Sequence, residues 1–400
     1  MKKPIQYTVT IGCIGEGQLA RMMVLAGRKL GIRVKVLGPK FPSSCSRLTD
    51  QIRLPYSDQA GLTDLASGTN VVTYEFENVP AMAVEYLEAK GINIFPPVSA
   101  LITSQNRLKE KNLFWDLKLN PVTFADIESY EDLQRQLLRT PDQTTSKYPI
   151  ILPAILKTKT GGYDGKGQYV IKKSTFLGEA WSFVGGEPCI LEGMIKFDRE
   201  LSIIAVRGTK HQTVFYPVVQ NFHHRGMLRL SLAPAPSLPP ELQVAAEGMA
   251  KKILDKFNYI GVMALEMFQC GNDLMASEIA PRVHNSGHWT IEAAPRRCQF
   301  SNHLLAVTGE PLRSTEISGC WAMVNMIGGH EFGAVRALPE EFEVKALIPD
   351  AKYHRYGKGR RRHVTKLGHI TIHANDYGQL VKKIELLRGL PGIWLPNTIL

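Results

Sequence analysis

Over its first hundred residues the chain alternates short apolar runs with amphipathic stretches. Tyr7–Ile11 is apolar and β-branched and reads as a strand that runs into Gly12, Gly15 and Gly17. Leu19–Leu30 repeats its apolar positions at helical spacing, and Val34–Leu37, Val71–Phe76 and Ile92–Phe95 follow as three more short strands. This rhythm predicts a doubly wound parallel sheet. Pro96, Pro97 and Ser99 punctuate its end, and Ala100–Leu117 reads as one helix.

The pattern then loosens. Pro121–Phe124 and Ile150–Lys157 read as strands, separated by a helix over Tyr130–Leu138 and a polar loop at Thr140–Lys147. A Gly-rich loop at 161–167, a strand at Gln168–Ile171 and a short helix precede a long β-rich stretch from Cys189 to Ala233. The Pro-rich loop Ala233–Pro240 introduces a helix over Glu241–Phe257, and a β-hairpin occupies 260–280. From 342 the chain reads as strand-rich, closing with a helix over Asp376–Leu387. There is no internal repeat or low-complexity tract.

Composition narrows the class. The 400 residues are 44% hydrophobic and 21% charged, which excludes a disordered or fibrous chain and suggests two to three domains. The six cysteines are scattered without a C-x-x-C pair, so neither a zinc cage nor a disulfide framework is indicated, and a reducing cytoplasm is expected. No apolar run is long enough to span a bilayer, and the basic N-terminus lacks a signal-peptide core. The net charge of +11 is uneven: residues 351–400 hold ten Lys or Arg against Asp376 and Glu385. Such a cluster suits phosphate, nucleic acid or a solvated face, and the solvated face is the commonest case.

Three constellations carry candidate chemistry. Gly15-Glu16-Gly17-Gln18-Leu19-Ala20 fits a dinucleotide turn, but the second strand ends Val36-Leu37-Gly38-Pro39 without the acidic residue that holds ribose hydroxyls. The turn is then either an anion seat at a helix N-terminus or a tight turn that needs glycine. Second, Lys157 ends a strand just before Thr160-Gly161-Gly162-Tyr163-Asp164-Gly165-Lys166-Gly167-Gln168. A fixed cation beside a Gly-rich loop resembles a nucleotide lid, and no Walker G-K-S/T follows.

The third is the hairpin around Gly271-Asn272-Asp273. A three-residue loop pairs Cys270 with Leu274, Phe268 with Ala276 and Glu266 with Glu278. Opposed carboxylates are destabilising unless a cation lies between them, and hard oxygen ligands suit Mg²⁺ on nucleotide phosphates. Immediately beyond, Arg282, His284 and Asn285 are spaced to hold a small anion.

The strings Gly162–Gln168, Glu278 followed by Ile-Ala-Pro-Arg-Val-His-Asn-Ser-Gly-His-Trp, and Tyr74-Glu75-Phe76-Glu77-Asn78-Val79 together resemble the 5-(carboxyamino)imidazole ribonucleotide synthase family of ATP-grasp ligases, from about residue 9 to 375. The resemblance implies an α/β fold, α+β in its centre. It has a Rossmann-like doubly wound domain over 1–100, an ATP-grasp domain over 101–310 with a lid at about 120–190, and a small β-rich C-terminal domain over 311–400. It implies ATP contacts at Arg107, Lys157, Gly162, Tyr163, Asp164, Gly165, Lys166, Gly167, Gln168, Glu192, Gly193, Met194, Ile195, Glu200, His223, Ser277 and Glu278. Glu266 and Glu278 match the family's Mg²⁺ ligands, with Mn²⁺ as the alternative ion. Glu75, Asp164, Lys358 and Arg362 fall to the aminoimidazole ribonucleotide, and Arg282, His284 and Asn285 to bicarbonate.

Three positions depart from the family pattern. Ser277 replaces an Asn, Thr365 replaces an Arg, and Gly15-Glu16-Gly17 replaces a glycine triplet. Phosphate anchoring then rests on Lys358 and Arg362, with Arg360 or Lys366 as alternatives.

The implied activity is ATP-dependent carboxylation of 5-aminoimidazole ribonucleotide through carboxyphosphate, within purine biosynthesis, by a cytoplasmic homodimer working on small molecules and on neither nucleic acid nor membrane. Asp164 and His284 are both candidate bases. Another ATP-grasp ligase, such as a formate-using glycinamide ribonucleotide transformylase, shares the metal pair and lid but not the Arg282–Trp289 string. A nucleic-acid binder leaves Lys157, Glu266 and Glu278 without a role.

Overall fold

The computed structural model describes residues 7–138, 150–162, 167–329, 338–358 and 364–400. The N-terminal strands β1 (Val9–Ile14), β2 (Ile32–Leu37), β3 (Gln51–Ile52) and β4 (Val71–Tyr74) form a parallel sheet in the order β3-β2-β1-β4, covered by helices α1 (Gln18–Leu30), α2 (Gln59–Ala66) and α3 (Ala81–Ala89). Gly31, at φ 75°, ends α1 in the left-handed conformation that favours glycine. The strand expected over Ile92–Phe95 reduces to one parallel bridge between Ile94 and Val72, since Pro96 and Pro97 have no N–H to continue a ladder.

The single helix expected over Ala100–Leu117 is two, α4 (Val98–Ser104) and α5 (Arg107–Asp116). Asn106 starts the second by accepting the Lys109 N–H at 3.0 Å. Two strands begin later than expected for the same reason as before, Pro121 at the start of one predicted range and Pro153 inside the other: β5 is Phe124–Ile127 and follows α5, and β6 is Ala154–Thr158. Between them lies α6 (Tyr130–Leu138). With β7 (Gln168–Ile171), α7 (Leu177–Phe183) and β8 (Cys189–Gly193), these build a small antiparallel sheet in the order β5-β8-β6-β7.

The remaining strands make one large antiparallel sheet. They are β9 (Arg199–Arg207), β10 (Thr213–Phe215), β11 (Val219–His224), β12 (Met227–Ala233), β13 (Gly261–Cys270), β14 (Asp273–Ala280), β15 (Cys320–Gly328), β16 (Lys352–Arg355) and β17 (Thr365–Ala374). The order is β14-β13-β9-β11-β12-β15-β17-β16, with β10 also on β9. Because β12 pairs with β15, the C-terminal strands extend the central sheet. The helices are α8 (Pro240–Lys256), which starts on a proline at its first turn, then α9 (Thr290–Ala293), α10 (Gln299–Val307), α11 (Glu341–Leu347) and α12 (Tyr377–Glu385). The tail from 342, expected to be strand-rich and to close in a helix, holds β16, β17 and α12, but opens with α11, fixed by a capping box between Glu340 and Glu343.

One apolar core joins α1 and the N-terminal strands to α10 and the large sheet, with Trp289 and Phe300 buried in it. His303 of α10 crosses this junction. Its Nδ1 accepts the Val262 N–H at 3.1 Å, and its Nε2 meets the Thr73 hydroxyl at 2.9 Å. Burial holds His303 neutral, pulling its pKa to about 4, and pulls His288 to about 3 with the help of nearby positive charge on His354 and Lys366. The unfolded chain protonates such side chains near pH 6.5. Their stabilisation is therefore complete above that value and is lost as pH falls toward 4, at about 1.4 kcal/mol per pH unit for each histidine. Urea midpoints are expected to drop between pH 7 and pH 5, and to drop less steeply in His303→Gln; equal slopes in the two proteins would contradict this assignment.

Candidate active site

The hairpin β13–β14 places two carboxylates on one spot by a route other than the expected one. Its loop has two residues, led by Gly271 at φ 61°, so Cys270 pairs with Asp273 and Met267 with Ala276. The expected pairs Cys270–Leu274 and Phe268–Ala276 do not form. A β-bulge then inserts Ser277, and this brings Glu278 opposite Glu266. Helix α5 holds the bulge from behind: Glu110 Oε1 accepts the Ile279 N–H at 2.7 Å, and Lys111 Nζ donates to the Ser277 carbonyl at 2.8 Å. Burial first, then the charges on Glu278 and Glu200, raise Glu266 to about 7, against the pull of His223. Two carboxylates held face to face at this cost fit a divalent cation.

The small sheet contributes the positive side. Lys157 on β6 and Glu192 on β8 face the same way, and Lys157 Nζ donates to Glu192 Oε2 at 2.6 Å while Lys111 stands 3.7 Å from Glu192 Oε1. Burial opposes charge on Glu192, but Lys111, Lys157 and Arg107 outweigh it and hold the carboxyl below its usual range. Arg107, at the start of α5, donates to the Thr158 carbonyl at 2.6 Å and so ties that helix to β6. On β9 and β11, Glu200 pairs with His223, whose pKa rises because this bond and the charges on Glu266 and Glu200 overcome burial.

Arg282, His284 and Asn285 follow β14 on one loop. Arg282 pairs with Glu77, from the loop after β4, and also donates to the Val283 carbonyl at 3.0 Å. Burial, then Arg282 and Lys366, keep His284 well below the usual histidine range and hence neutral, and its Nε2 lies 3.3 Å from Glu266 Oε1. Asn285 is buried against Asn325 of β15, whose Nδ2 also donates to the Leu228 carbonyl at 2.9 Å.

The Gly-rich turn before α1 is filled by the chain's own carboxylate. Glu75 accepts the N–H groups of Gly17 and of Ala20, the latter at 2.7 Å. A Cβ on Gly15 would stand 2.2 Å from Glu75 Cγ, and Gly15 has φ 127°, so both space and backbone require glycine there. Glu16 similarly occupies the space beside Gly38 where a dinucleotide site wants its acidic residue. Lys358 Nζ completes this corner, donating to Gln18 Oε1 at 2.8 Å and to the Lys366 carbonyl at 3.1 Å.

One cleft of about 490 Å³ collects Arg107, Lys157, Gly162, Gln168, Glu192, Glu200, His223, Glu266, Ser277, Glu278, Arg282, His284 and Asn285. Glu75, Gly167, Gly193, Met194, Ile195 and Lys358 are not on its wall, although Lys366 is and links the Glu75–Lys358 corner to it. Tyr163, Asp164, Gly165, Lys166 and Arg362 lie outside the described residues. Sequence reasoning missed Glu77, Glu110, Lys111, Asn221 and Asn325. Glu77 sat inside a quoted string, but only the Arg282 contact singles it out; Glu110 and Lys111 are hidden in the charged run Arg107–Asn112, and Asn221 and Asn325 are single amides within strands, with no local signature.

Comparison with known proteins agrees over nearly the whole chain. Residues 8–105 match a ribonucleotide synthetase preATP-grasp domain, 116–300 an ATP-grasp domain and 322–383 a phosphoribosylaminoimidazole carboxylase C-terminal domain. The chain is 41% identical over 381 residues to N5-carboxyaminoimidazole ribonucleotide synthase of Pseudomonas aeruginosa, covering 95% of this chain and 99% of that one. The crystal structure of N5-carboxyaminoimidazole ribonucleotide synthetase from Thermus thermophilus superimposes with a TM-score of 0.86 at 40% identity, covering 97% and 99% of the two chains. A structure from Aspergillus clavatus, in complex with ADP and 5-aminoimidazole ribonucleotide, gives 0.82 at 28% identity over 95% and 97%.

Proposed function

The chain belongs to the N5-carboxyaminoimidazole ribonucleotide synthase family, and from that premise we propose how its cleft performs the family's reaction. The protein is an ATP-grasp ligase that forms ADP as it carboxylates 5-aminoimidazole ribonucleotide to the N5-carboxy product of purine biosynthesis. The ATP phosphates lie along Lys157, with Glu192 holding that lysine in place. Glu266 and Glu278 would hold Mg²⁺, or Mn²⁺ in its stead. The ion, when bound, would offset charge on the phosphoryl group as it transfers.

Bicarbonate sits against Arg282 and Asn285 and takes the γ-phosphoryl group of ATP, releasing ADP; the carboxyphosphate yields CO₂ and phosphate, and the exocyclic amine of the ribonucleotide bonds to the CO₂ carbon as it loses a proton. The ribonucleotide phosphate is met by Lys358 and Lys366 beside Glu75. Carboxyphosphate hydrolyses readily, so the Gly-rich lid has to exclude water before it forms. The observation that carries this reading is the contact between His284 Nε2 and Glu266 Oε1, 3.3 Å long, which closes the carboxylate pair directly onto the anion-holding loop. A phosphoryl group beside Glu266 and an anion on Arg282 would then be neighbours.

The expected cytoplasmic homodimer belongs to the same reading, as do the domain limits at 1–100, 101–310 and 311–400. No helix among the described residues is long and apolar enough to cross a membrane. ADP release from ATP and bicarbonate, with and without 5-aminoimidazole ribonucleotide, is the direct test: strong stimulation by the ribonucleotide is expected. No stimulation, or stimulation by glycinamide ribonucleotide with formate instead, would replace this function with that of another ATP-grasp ligase.

A further inference from the structure

Folding brings a second set of metal-binding side chains together, away from the cleft wall. Glu292 on α9, His354 on β16 and His369 on β17 offer a carboxylate oxygen and two ring nitrogens, and these three atoms all lie within 4.8 Å of one another. None of the three residues lines the cleft that holds Glu266 and Glu278. Strand pairing fixes the two histidines. His354 stands directly opposite His369 in the β16–β17 ladder, so both rings fall on one face, stacked with their centres 4.3 Å apart. Glu292 reaches them from the short helix that follows the Arg282–Trp289 loop, and its Oε1 is 2.8 Å from His354 Nε2.

That one contact does not account for the cluster. Glu292 Oε2 and His369 Nε2 are buried without a hydrogen-bond partner. His369 Nδ1 is 2.8 Å from the Tyr356 hydroxyl, which leaves Nε2 as the nitrogen with nothing to meet. Beside it stands His288, its ring centre 4.9 Å from that of His369, fully buried and with neither ring nitrogen partnered. Buried polar atoms without partners are costly, and three residues that carry them side by side mark a place for an occupant.

We propose that Glu292, His354 and His369 form a second metal site, separate from the Glu266–Glu278 pair and suited to Zn²⁺. Two imidazoles with one carboxylate are a donor set that zinc takes readily, whereas Mg²⁺ keeps to oxygen ligands. Zinc bonds of about 2.0–2.1 Å place tetrahedral donors about 3.4 Å apart. The three groups reach that spacing by turning in place, the stacked rings swinging their nitrogen edges toward the ion. Tyr356 stands behind His369 as the outer partner that orients a ligating imidazole. His354 and Glu292 keep side-chain exposures of 22% and 14%, which gives the ion a way in and leaves its fourth position to water.

The consequence is mechanical. Glu292 follows directly on the loop of Arg282, His284 and Asn285, and β17 carries Lys366, so an ion here pins that loop to the C-terminal strands. It takes no part in the reaction proposed above, and neither reading depends on the other.

The test is equilibrium dialysis of the untagged full-length protein against micromolar Zn²⁺ with Mg²⁺ in excess, with bound zinc measured by atomic emission. The wild type is expected to bind one equivalent more than Glu292→Gln or His354→Gln. Both substitutions fall at partly exposed positions, and circular dichroism checks that the variants fold. The difference is what counts, because any zinc that displaces Mg²⁺ from Glu266 and Glu278 is present in all three proteins. No bound zinc overturns the site and leaves water as the occupant of the cluster; equal zinc in the three proteins overturns it as well. A crystal of the wild type soaked in Zn²⁺ needs no variant: anomalous scattering at the zinc edge should show a peak among Glu292, His354 and His369. A peak only at Glu266 and Glu278, or none, overturns the proposal. Both measurements are made without ribonucleotide, so their failure leaves the proposed function standing, and a wild-type protein that the ribonucleotide does not stimulate leaves the zinc site standing.

Discussion

Glu278→Gln is expected to lower ADP formation about 1,000-fold or more while leaving the fold intact. The side chain is exposed to the cleft, so an isosteric amide disturbs no packing. What changes is charge. The opposed pair Glu266 and Glu278 becomes a single carboxylate, and the divalent cation proposed there would lose one of its two hard anionic ligands. Charge stabilisation by such an ion contributes several kcal/mol to phosphoryl transfer, and about 4 kcal/mol is a factor of 1,000 in rate. The same substitution removes a like charge from beside Glu266 and Glu110, both of which its charge pushes upward. Thermal unfolding without nucleotide should thus occur at an unchanged or higher temperature. Full activity in this variant would remove Glu278 from the metal site; a fall in unfolding temperature would mean that the pair is held by something other than its own geometry.

Arg282→Met is expected to cost about 100-fold or more in bicarbonate-dependent turnover, with a steep rise in the bicarbonate KM and little change in ATP affinity. A guanidinium that already spends one edge on Glu77 and Val283 still offers further donors to a planar anion, which no neutral side chain replaces. The change also strands Glu77, whose carboxyl is held below its usual range chiefly by Arg282 against the opposing effect of burial. An unpaired, largely buried carboxylate costs about 2 kcal/mol. The double variant Glu77→Gln with Arg282→Met should recover most of that stability and none of the activity. Recovery of both would reduce Arg282 to a structural partner of Glu77.

These two residues also show how far the chain could be read before folding. Arg282, His284 and Asn285 lie within four positions, so whatever fold presents that loop presents them together. Glu266 and Glu278 were legible because a hairpin is local and side chains alternate with period two, yet the reading met the right pair through two compensating differences: the loop is one residue shorter, and Ser277 bulges out. A bulge leaves no periodic trace, because it is held in place by Glu110 and Lys111 of a helix more than 160 positions earlier in the chain. Similarly, the turn at Gly15–Gly17 announced close approach by something; only folding shows that it is the Glu75 carboxylate.

The amino-acid sequence by itself determined the strand and helix rhythm of the first hundred residues, the lysine before the Gly-rich loop, the carboxylate hairpin and the grouping of Arg282, His284 and Asn285, because each is a pattern of short range. Folding decided that Arg282 answers to Glu77, that Asn285 rests on Asn325 from the C-terminal strands, and that the last strands extend the central sheet. The physical reason is common to all three. Local spacing fixes which face of an element a side chain occupies, but contacts between distant elements depend on how those faces share one buried core, and no short-range periodicity records that.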